Sequence, residues 1–228
     1  MGEWSKKEFG TPELPKKCFI FAMTVDEYIR ESILSYFKTI KFHKHDSYEA
    51  YIVNDGKEDV LLLFQIFGAV LTADILYILN EGNVKEIILI GFAYGLIGDL
   101  KVGDIIIPDK VQCLDGITNF LEDIDYTYPN ELIQSKIIQT LEDNNHKYFR
   151  GITISVASLF WRPEKLIKAI DTNAIALEME FASFCCFSKK LGIASAGVLI
   201  ISDTNSHSLL DDTHLRTENM LKVFECLK

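Results

Sequence analysis

Acidic residues at the ends of two apolar runs are the residues of this chain best suited by type and spacing to do chemistry. Glu178 and Glu180 flank Met179 where an apolar run meets a predicted helix, and a second apolar run ends in Ser202 and Asp203. An ionised carboxylate among apolar neighbours loses hydration unless it gains hydrogen bonds or a charged partner. Ligands of open α/β sheets bind outside the carboxyl ends of the strands, which makes Asp203 a candidate ligand-binding residue. The simpler alternative is that Asp203 caps the element that follows it.

The composition excludes several classes of protein. The chain has 228 residues, of which 48% are hydrophobic, and a net charge of -10. This length suffices for one α/β domain with a complete core. Nucleic acid is not expected as a partner, because phosphate backbones are bound mainly through Lys and Arg. The N-terminal segment lacks an apolar signal core, and no stretch approaches the ~18 apolar residues of a membrane span. We therefore expect a soluble, cytoplasmic protein without a membrane partner.

The cysteines and histidines do not predict a metal site. The five cysteines are odd in number and lack metal-ligand spacing, which favours reduced thiols that pack as small apolar side chains. The five histidines lie in polar segments without the HExxH or CxxC companions of zinc sites. We expect neither a metal nor a cofactor.

Strand-like and helix-like segments alternate along the chain, which is typical of α/β proteins. Predicted strands cover residues 18–23, 86–91, 105–108, 148–156 and 194–202, and a predicted hairpin joins residues 48–53 to 60–66. Predicted helices cover residues 25–37, 70–79, 130–142, 163–170, 179–191 and 212–227. The expected organisation is a polar N-terminal arm, residues 1–17, followed by one α/β domain, residues 18–228.

Three motifs of the sequence resemble the nucleoside phosphorylase and nucleosidase superfamily, which includes purine nucleoside phosphorylases, uridine phosphorylases and methylthioadenosine nucleosidases. They are IGFAYGLIGDLKVGDIIIPD at residues 90–109, SLFWRP at 158–163 together with ALEMEFAS at 176–183, and ISD at 201–203. The resemblance extends from residue 18 to the C-terminus. It implies a single α/β domain with a mixed central β-sheet flanked by helices. It also implies a homo-oligomer, in which neighbouring chains often complete the pocket.

The resemblance assigns substrate-binding roles to several of these residues. Glu180 falls on the glutamate that binds the ribose hydroxyls, since an ionised carboxylate can accept both hydroxyl protons, and Met179 falls beside the sugar. Phe160 matches the aromatic residue that stacks on the base, with ordinary core packing as the alternative. The other substrate-binding residues expected from the motifs are Gly91, Phe92, Trp161, Glu178 and Ser202.

The resemblance also assigns a general acid. Asp203 matches the aspartate that protonates the imidazole-ring nitrogen of a purine as the glycosidic bond breaks, a step worth roughly 10² to 10⁴ in rate. Uridine phosphorylases lack this acid, so a purine nucleoside is the expected small-molecule partner. Arg216 follows Asp203 by 13 residues, the separation at which hexameric purine nucleoside phosphorylases place an arginine that closes onto the aspartate. The alternative for Arg216 is an exposed residue of the last helix.

The expected phosphate site departs from the family. The positions at which phosphorylases hold phosphate carry Ala22, Asp26, Leu89 and Phe92, and Tyr94 replaces a glycine of the family's central motif. Asp26 falls where nucleosidases carry the glutamate that activates water, and a carboxylate repels phosphate but can accept a proton from water. The alternative is that Asp26 only caps the first predicted helix.

Three functions follow from these residues. The first is hydrolysis of a purine nucleoside, with Asp26 as the base and Asp203 as the acid. The second is phosphorolysis, with a phosphate site rebuilt from Arg30, Arg162 or a neighbouring subunit. The third is a non-catalytic nucleoside-binding or storage protein. The retained sugar, base and acid residues disfavour the third, and the lost phosphate ligands disfavour the second. We expect Arg30 to pair with Asp26, which lies four residues earlier on the same helix.

Overall fold

The structure, a computed structural model, describes residues 2–161, 163–205 and 213–228. Its strands are β1 (Lys17–Ala22), β2 (Lys38–Lys44), β3 (Glu49–Asn54), β4 (Asp59–Phe64), β5 (Glu86–Gly95), β6 (Ile105–Leu114), β7 (Tyr126–Thr127), β8 (Tyr148–Val156), β9 (Ala174–Glu178) and β10 (Ala194–Thr204). Its helices are α1 (Glu3–Phe9), α2 (Glu27–Leu34), α3 (Gly68–Glu81), α4 (Thr118–Glu122), α5 (Glu131–Asp143), α6 (Glu164–Ala169), α7 (Phe181–Lys190) and α8 (Thr213–Leu227). None of the helices within these ranges is long and apolar enough to cross a membrane.

The strands form one mixed sheet, part of which closes on itself. β1 pairs in parallel with β4 and β5, and β10 pairs in parallel with the other side of β5. Beyond β4, the antiparallel strands β3 and β2 form one edge. From β10 the pairing runs through β6, β8 and β9 and returns to β5. The predicted mixed central sheet is therefore confirmed, and its closure brings the carboxyl ends of β5, β9 and β10 together.

Helices cover both faces of this sheet because successive side chains of a strand point to opposite faces. In β1, Cys18 and Ile20 lie in a hydrophobic core that includes residues of α3 and α7. Phe19 and Phe21 lie in a second core, on the other face, that includes residues of α2, α5 and α8. Each fully buried side chain of this size stabilises the fold by about 1.5 to 3 kcal/mol. Two well-packed layers of helices thus hold the central strands whose ends carry the predicted site residues.

The predicted strands and helices are all present, with shifted ends, and several elements are additional. Helix α1 lies within the segment predicted as a polar arm. There Phe9 is fully buried, and the backbone N–H of Trp4 donates to a carboxylate oxygen of Glu81 at 2.9 Å. The segment therefore packs against the rest of the chain, while a domain boundary at residue 18 stays a prediction. Strand β2 was missed because it is a mostly exposed edge strand in which only Ile40 and Phe42 are apolar and four of the seven residues are Lys or His. Strand β9 was missed because its short apolar run continues into α7.

Candidate active site

A cavity of about 790 Å³ lies at the ends of β1, β5, β9 and β10. Three carboxylates predicted to act on substrate, Asp26, Glu180 and Asp203, line it together with Arg216. Its wall is otherwise rich in apolar and aromatic groups, including Ala22, Met23, Phe67, Phe92, Tyr94, Leu159, Phe160, Leu177 and Met179. An apolar cavity of this size with a few convergent polar groups is typical of a small-molecule site.

A second cavity, of about 670 Å³, lies beside α5 and contains none of the predicted site residues. Its charged residues include Asp109 and Arg150, which pair with each other through a contact of 2.6 Å. The predicted catalytic residues Asp26, Asp203 and Arg216 therefore lie at the larger cavity.

Two of the predicted substrate-binding residues are not brought to the cavity lining. Gly91 lies inside β5, where an added Cβ would come within 3.2 Å of the side chains of Leu89 and Leu199, so its small size serves packing within the sheet. Trp161 is 81% exposed, and its backbone N–H donates to the hydroxyl of Ser158 at 3.0 Å. The remaining predicted residues, including Glu178 and Ser202, do line the cavity.

Glu178 is buried, and both of its carboxylate oxygens are engaged within the chain. Oε1 accepts a short hydrogen bond from the hydroxyl of Ser155, and Oε2 accepts the backbone N–H groups of Glu180 and Phe181, each at 2.6 Å. These amides belong to the start of α7, where helical N–H groups have no intrahelical acceptor. Glu178 therefore caps α7 and fixes the chain that carries Glu180.

Glu180 is 5% exposed. Its Oε1 accepts the backbone N–H of Gly68 at 2.6 Å, and a backbone hydrogen bond from Met179 also favours the ionised carboxylate. Gly68 begins α3 with a φ of 76°, a conformation that glycine adopts without strain. Sequence reasoning missed Gly68, although a glycine between an apolar run and a helix was an available signal.

The carboxylates of Glu178 and Glu180 are both buried and lie close to each other. Burial raises the pKa of Glu178 and of Glu180 above the ordinary glutamate value, and the charge of Glu180 raises the pKa of Glu178 further. The hydrogen bonds from Ser155 and from the amides of α7 oppose this rise for Glu178. Two buried carboxylates so close together favour states in which one of them is protonated. A ligand that donates hydroxyl protons to Glu180 would favour its ionised form.

Asp203 lies near the end of β10, beside Tyr94 of β5, just past a bulge in the strand register. The hydroxyl of Ser202 lies 2.5 Å from Asp203 Oδ1 and 3.2 Å from the carbonyl oxygen of Ala93. One hydroxyl proton cannot serve both acceptors at once. Ser202 contacts both Asp203 and the backbone of β5, which fixes the end of β10 beside Tyr94.

Asp26 is exposed at the cavity rim and is the N-cap of α2. Its Oδ1 accepts the N–H of Ile29 at 2.8 Å, while Oδ2 has no hydrogen-bond partner in the part of the chain that the structure describes. The expected ion pair between Asp26 and Arg30 is wrong. Arg30 instead lies 3.4 Å from a carboxylate oxygen of Glu49 on β3, because its side chain turns toward the sheet. Capping therefore uses one oxygen of Asp26 and does not engage the other.

Arg216 of α8 and Phe160 are also at the cavity. The guanidinium carbon of Arg216 lies 5.4 Å from the ring centroid of Phe92, within the range of a cation–π contact. Phe160 is 96% exposed, which excludes the alternative that it is an ordinary core residue. Of the four altered phosphate positions, three line the cavity: Ala22, Asp26 and Phe92. The fourth, Leu89, is buried in the core.

Comparison with known proteins agrees with this architecture. The family model of the phosphorylase superfamily matches residues 18–225 of this chain. The chain belongs to this superfamily. It is thus an enzyme of the nucleoside phosphorylase and nucleosidase type, which cleaves a glycosidic bond.

Individual relatives cover most of the chain. A 5′-methylthioadenosine/S-adenosylhomocysteine nucleosidase of Buchnera aphidicola is 30% identical over 189 residues, covering 75% of this chain and 80% of the relative. The purine nucleoside phosphorylase of Toxoplasma gondii, solved in complex with immucillin-H, superposes with a TM-score of 0.80 at 16% identity, over 94% of this chain and 91% of that chain. A nucleosidase of the methylthioadenosine type from Campylobacter jejuni superposes with a TM-score of 0.76 at 16% identity, over 94% and 97% of the two chains. At these identities the two structures share the fold with this chain.

Proposed function

We propose that this enzyme hydrolyses the N-glycosidic bond of a purine nucleoside, with water and not phosphate as the nucleophile. The main support is the charge of the cavity. Its lining includes Asp26, Glu180 and Asp203, whereas Arg216 is the one Lys or Arg among the lining residues that the structure describes. At the positions where phosphorylases offer cations and polar groups, a phosphate dianion would meet the carboxylate of Asp26 and the apolar side chains of Ala22 and Phe92. Water meets no such repulsion.

In the proposed mechanism the sugar is held by Glu180 and the base lies against Phe160. Oε2 of Glu180 accepts the ribose hydroxyl protons in charge-assisted hydrogen bonds while Oε1 stays on Gly68. The exposed ring of Phe160 offers a flat apolar face to a flat heterocycle. The sugar and the base are thereby positioned between Asp26 and Asp203.

The bond is broken by a base and an acid. Asp26 accepts a proton from water through Oδ2, and the water oxygen forms a bond to the anomeric carbon. The bonding electrons of the glycosidic C–N bond pass to the purine, whose imidazole nitrogen takes a proton from Asp203. The products are the free sugar and the neutral base. A neutral leaving group departs far more readily than a purine anion, which is the physical reason for an acid at residue 203.

The relative from Buchnera aphidicola supports testing a purine nucleoside with a thioether at the 5′ position first. That protein is a 5′-methylthioadenosine/S-adenosylhomocysteine nucleosidase by name, and its sequence is 30% identical to this chain. Methylthioadenosine is therefore the first substrate to test, with adenosine and inosine beside it.

The phosphorolytic alternative has less support. Of the two arginines considered for a rebuilt anion site, Arg30 is engaged by Glu49. Arg162 lies outside the described residues. Phosphorolysis would therefore require that a second copy of the chain, in the expected homo-oligomer, completes the phosphate site.

The test incubates methylthioadenosine, adenosine and inosine with the enzyme, with and without phosphate, and identifies the sugar product. The proposal predicts free sugar at the same rate in both buffers. A strict phosphate requirement with a sugar 1-phosphate as product would establish phosphorolysis instead. Binding of these nucleosides without turnover in either buffer would indicate a binding protein.

A further inference from the structure

The hydroxyl of Ser155 is a buried group to which neither the sequence nor the proposed mechanism gives a role. Ser155 lies in β8, is fully buried, and is the parallel-register partner of Glu178 in β9. Its hydroxyl donates to Oε1 of Glu178 and accepts the N–H of Ala182 in the first turn of α7, at 2.7 Å. One hydroxyl thus joins two strands and the start of a helix.

The contacts of Ser155 continue to the backbone of Glu180. Through Oε2, Glu178 accepts the N–H of Glu180 itself and that of Phe181. Ser155 and Glu178 together therefore satisfy three N–H groups at the start of α7, which would otherwise be buried without an acceptor. The position of the Glu180 backbone depends on Glu178, and the orientation of Glu178 depends on Ser155.

Glu180 is consequently fixed at two points. Its backbone N–H is bound to Glu178, and its Oε1 is bound to the N–H of Gly68 at the start of α3. With the backbone and Oε1 held, the carboxylate of Glu180 keeps one orientation at the cavity that it lines. A preorganised acceptor of this kind does not lose side-chain freedom when it binds a sugar.

We propose that Ser155 is a positioning residue for sugar recognition, which acts through Glu178 and the first turn of α7 to hold Glu180 against the sugar hydroxyls. The inference rests on the proposed function, because it requires that Glu180 binds these hydroxyls. It changes the expected role of Glu178, which holds the helix and does not itself bind the sugar. Removing the hydroxyl of Ser155 would leave Glu178 Oε1 buried without its donor and Ala182 without its acceptor, and the Glu180 backbone would shift as these groups find new partners.

The test measures how strongly the enzyme prefers methylthioadenosine over its 2′,3′-dideoxy analogue, both as a ratio of kcat/KM and as a ratio of dissociation constants from calorimetry. Ser155→Ala should lower this preference by about tenfold, because a misplaced Glu180 loses about one charged hydrogen bond to the hydroxyls and little else. The dideoxy analogue should be handled almost equally by both enzymes. A purely structural role for Ser155 would affect both nucleosides alike and leave the ratio unchanged.

Ser5→Ala is the matched control. Ser5 lies in α1, is also fully buried, and its hydroxyl donates to the carbonyl oxygen of Gly2 or Pro12, at 3.1 and 3.0 Å, and none of these residues lines the cavity. It removes an equivalent buried hydrogen bond and should leave the preference unchanged. Glu178→Gln should also keep most of the preference, since a glutamine can accept the two amides through its oxygen and donate to Ser155 through its nitrogen.

The outcomes separate the inference from the proposed function. An unchanged preference in Ser155→Ala, or an equal loss in Ser5→Ala, would overturn the role of Ser155. A loss in Glu178→Gln as large as in Ser155→Ala would place Glu178 on the sugar and overturn the positioning route. If Ser155→Ala does not fold, Ser155→Cys is measured by the same criteria, because it preserves volume and weakens the hydrogen bond. A wild-type enzyme that neither binds nor cleaves either nucleoside would refute the proposed function and the sugar role together.

Discussion

Asp26 has a structural role as the cap of α2 and a proposed catalytic role as the base, and different substitutions test the two roles separately. Its Oδ1 caps α2 through the N–H of Ile29 at 2.8 Å, and its Oδ2 is the proposed acceptor of a proton from water. Asparagine caps helices about as well as aspartate but cannot accept that proton. Asp26→Asn should therefore keep the stability of the protein while turnover falls by about 10² to 10⁴, the usual contribution of a general base. The loss corresponds to about 2.7 to 5.5 kcal/mol in the activation free energy.

Asp26→Ala removes the cap as well as the base. The additional loss of the cap should destabilise the fold by about 1 kcal/mol, which for a chain of this size lowers the Tm by about 2 to 4 °C. Turnover should match that of Asp26→Asn. The assay follows free sugar from methylthioadenosine, and thermal unfolding is recorded for each variant.

Asn130→Ala is the control for the effect of losing a cap. Asn130 caps α5 by accepting the N–H of Ile133 at 3.1 Å, and it is not among the residues that line the larger cavity. This variant should lose a similar amount of stability and keep wild-type turnover. Wild-type hydrolysis by Asp26→Asn would refute the assignment of the base, and equal losses of turnover in Asp26→Asn and Asn130→Ala would show that the effect is not chemical.

Three further predictions concern the acid, the nucleophile and the buried glutamates. Asp203→Asn should lower cleavage of purine nucleosides by about 10² or more but spare p-nitrophenyl riboside, whose leaving group needs no proton; equal losses on both substrates would remove Asp203 as the acid. The initial rate on methylthioadenosine should be the same in phosphate and in phosphate-free buffer, and a dependence of this rate on phosphate would contradict hydrolysis. Because burial raises the pKa of Glu180 in the folded state above its ordinary value of 4.5, the folded state gains least from this group at high pH, and stability falls as the pH rises through the raised value. Glu180→Gln should therefore raise the Tm relative to wild type more at pH 9 than at pH 5, and a Tm difference independent of pH would refute this linkage.

Much of the fold could be predicted from the sequence, because the central strands are fully buried apolar runs whose lengths and order are visible in the chain. The resemblance to the superfamily added the mixed sheet and the assignment of Glu180 to the sugar and of Asp203 to the base. Strand β2 was not predicted, since this edge strand is mostly exposed and has only two apolar residues, Ile40 and Phe42, among Lys, His and Thr. The first helix was not predicted either, because its short polar sequence is anchored by Phe9, which becomes buried only against other elements.

The sequence by itself determined which chemical groups are available: carboxylates at strand ends, the aromatic ring of Phe160, and the carboxylate of Asp26, which the resemblance to the superfamily aligns with a phosphate ligand of the phosphorylases. Only the tertiary structure decided how these groups are held. Glu180 meets the amide of Gly68, 112 residues away, and Glu178 meets Ser155 in the neighbouring strand. Arg30 pairs with Glu49 of β3 and not with its helical neighbour Asp26. These partners follow from the order and closure of the sheet, which bring distant segments to one place. Local patterns do not encode such contacts, since a hydrogen bond across the sheet depends on the packing of all the elements between its two ends.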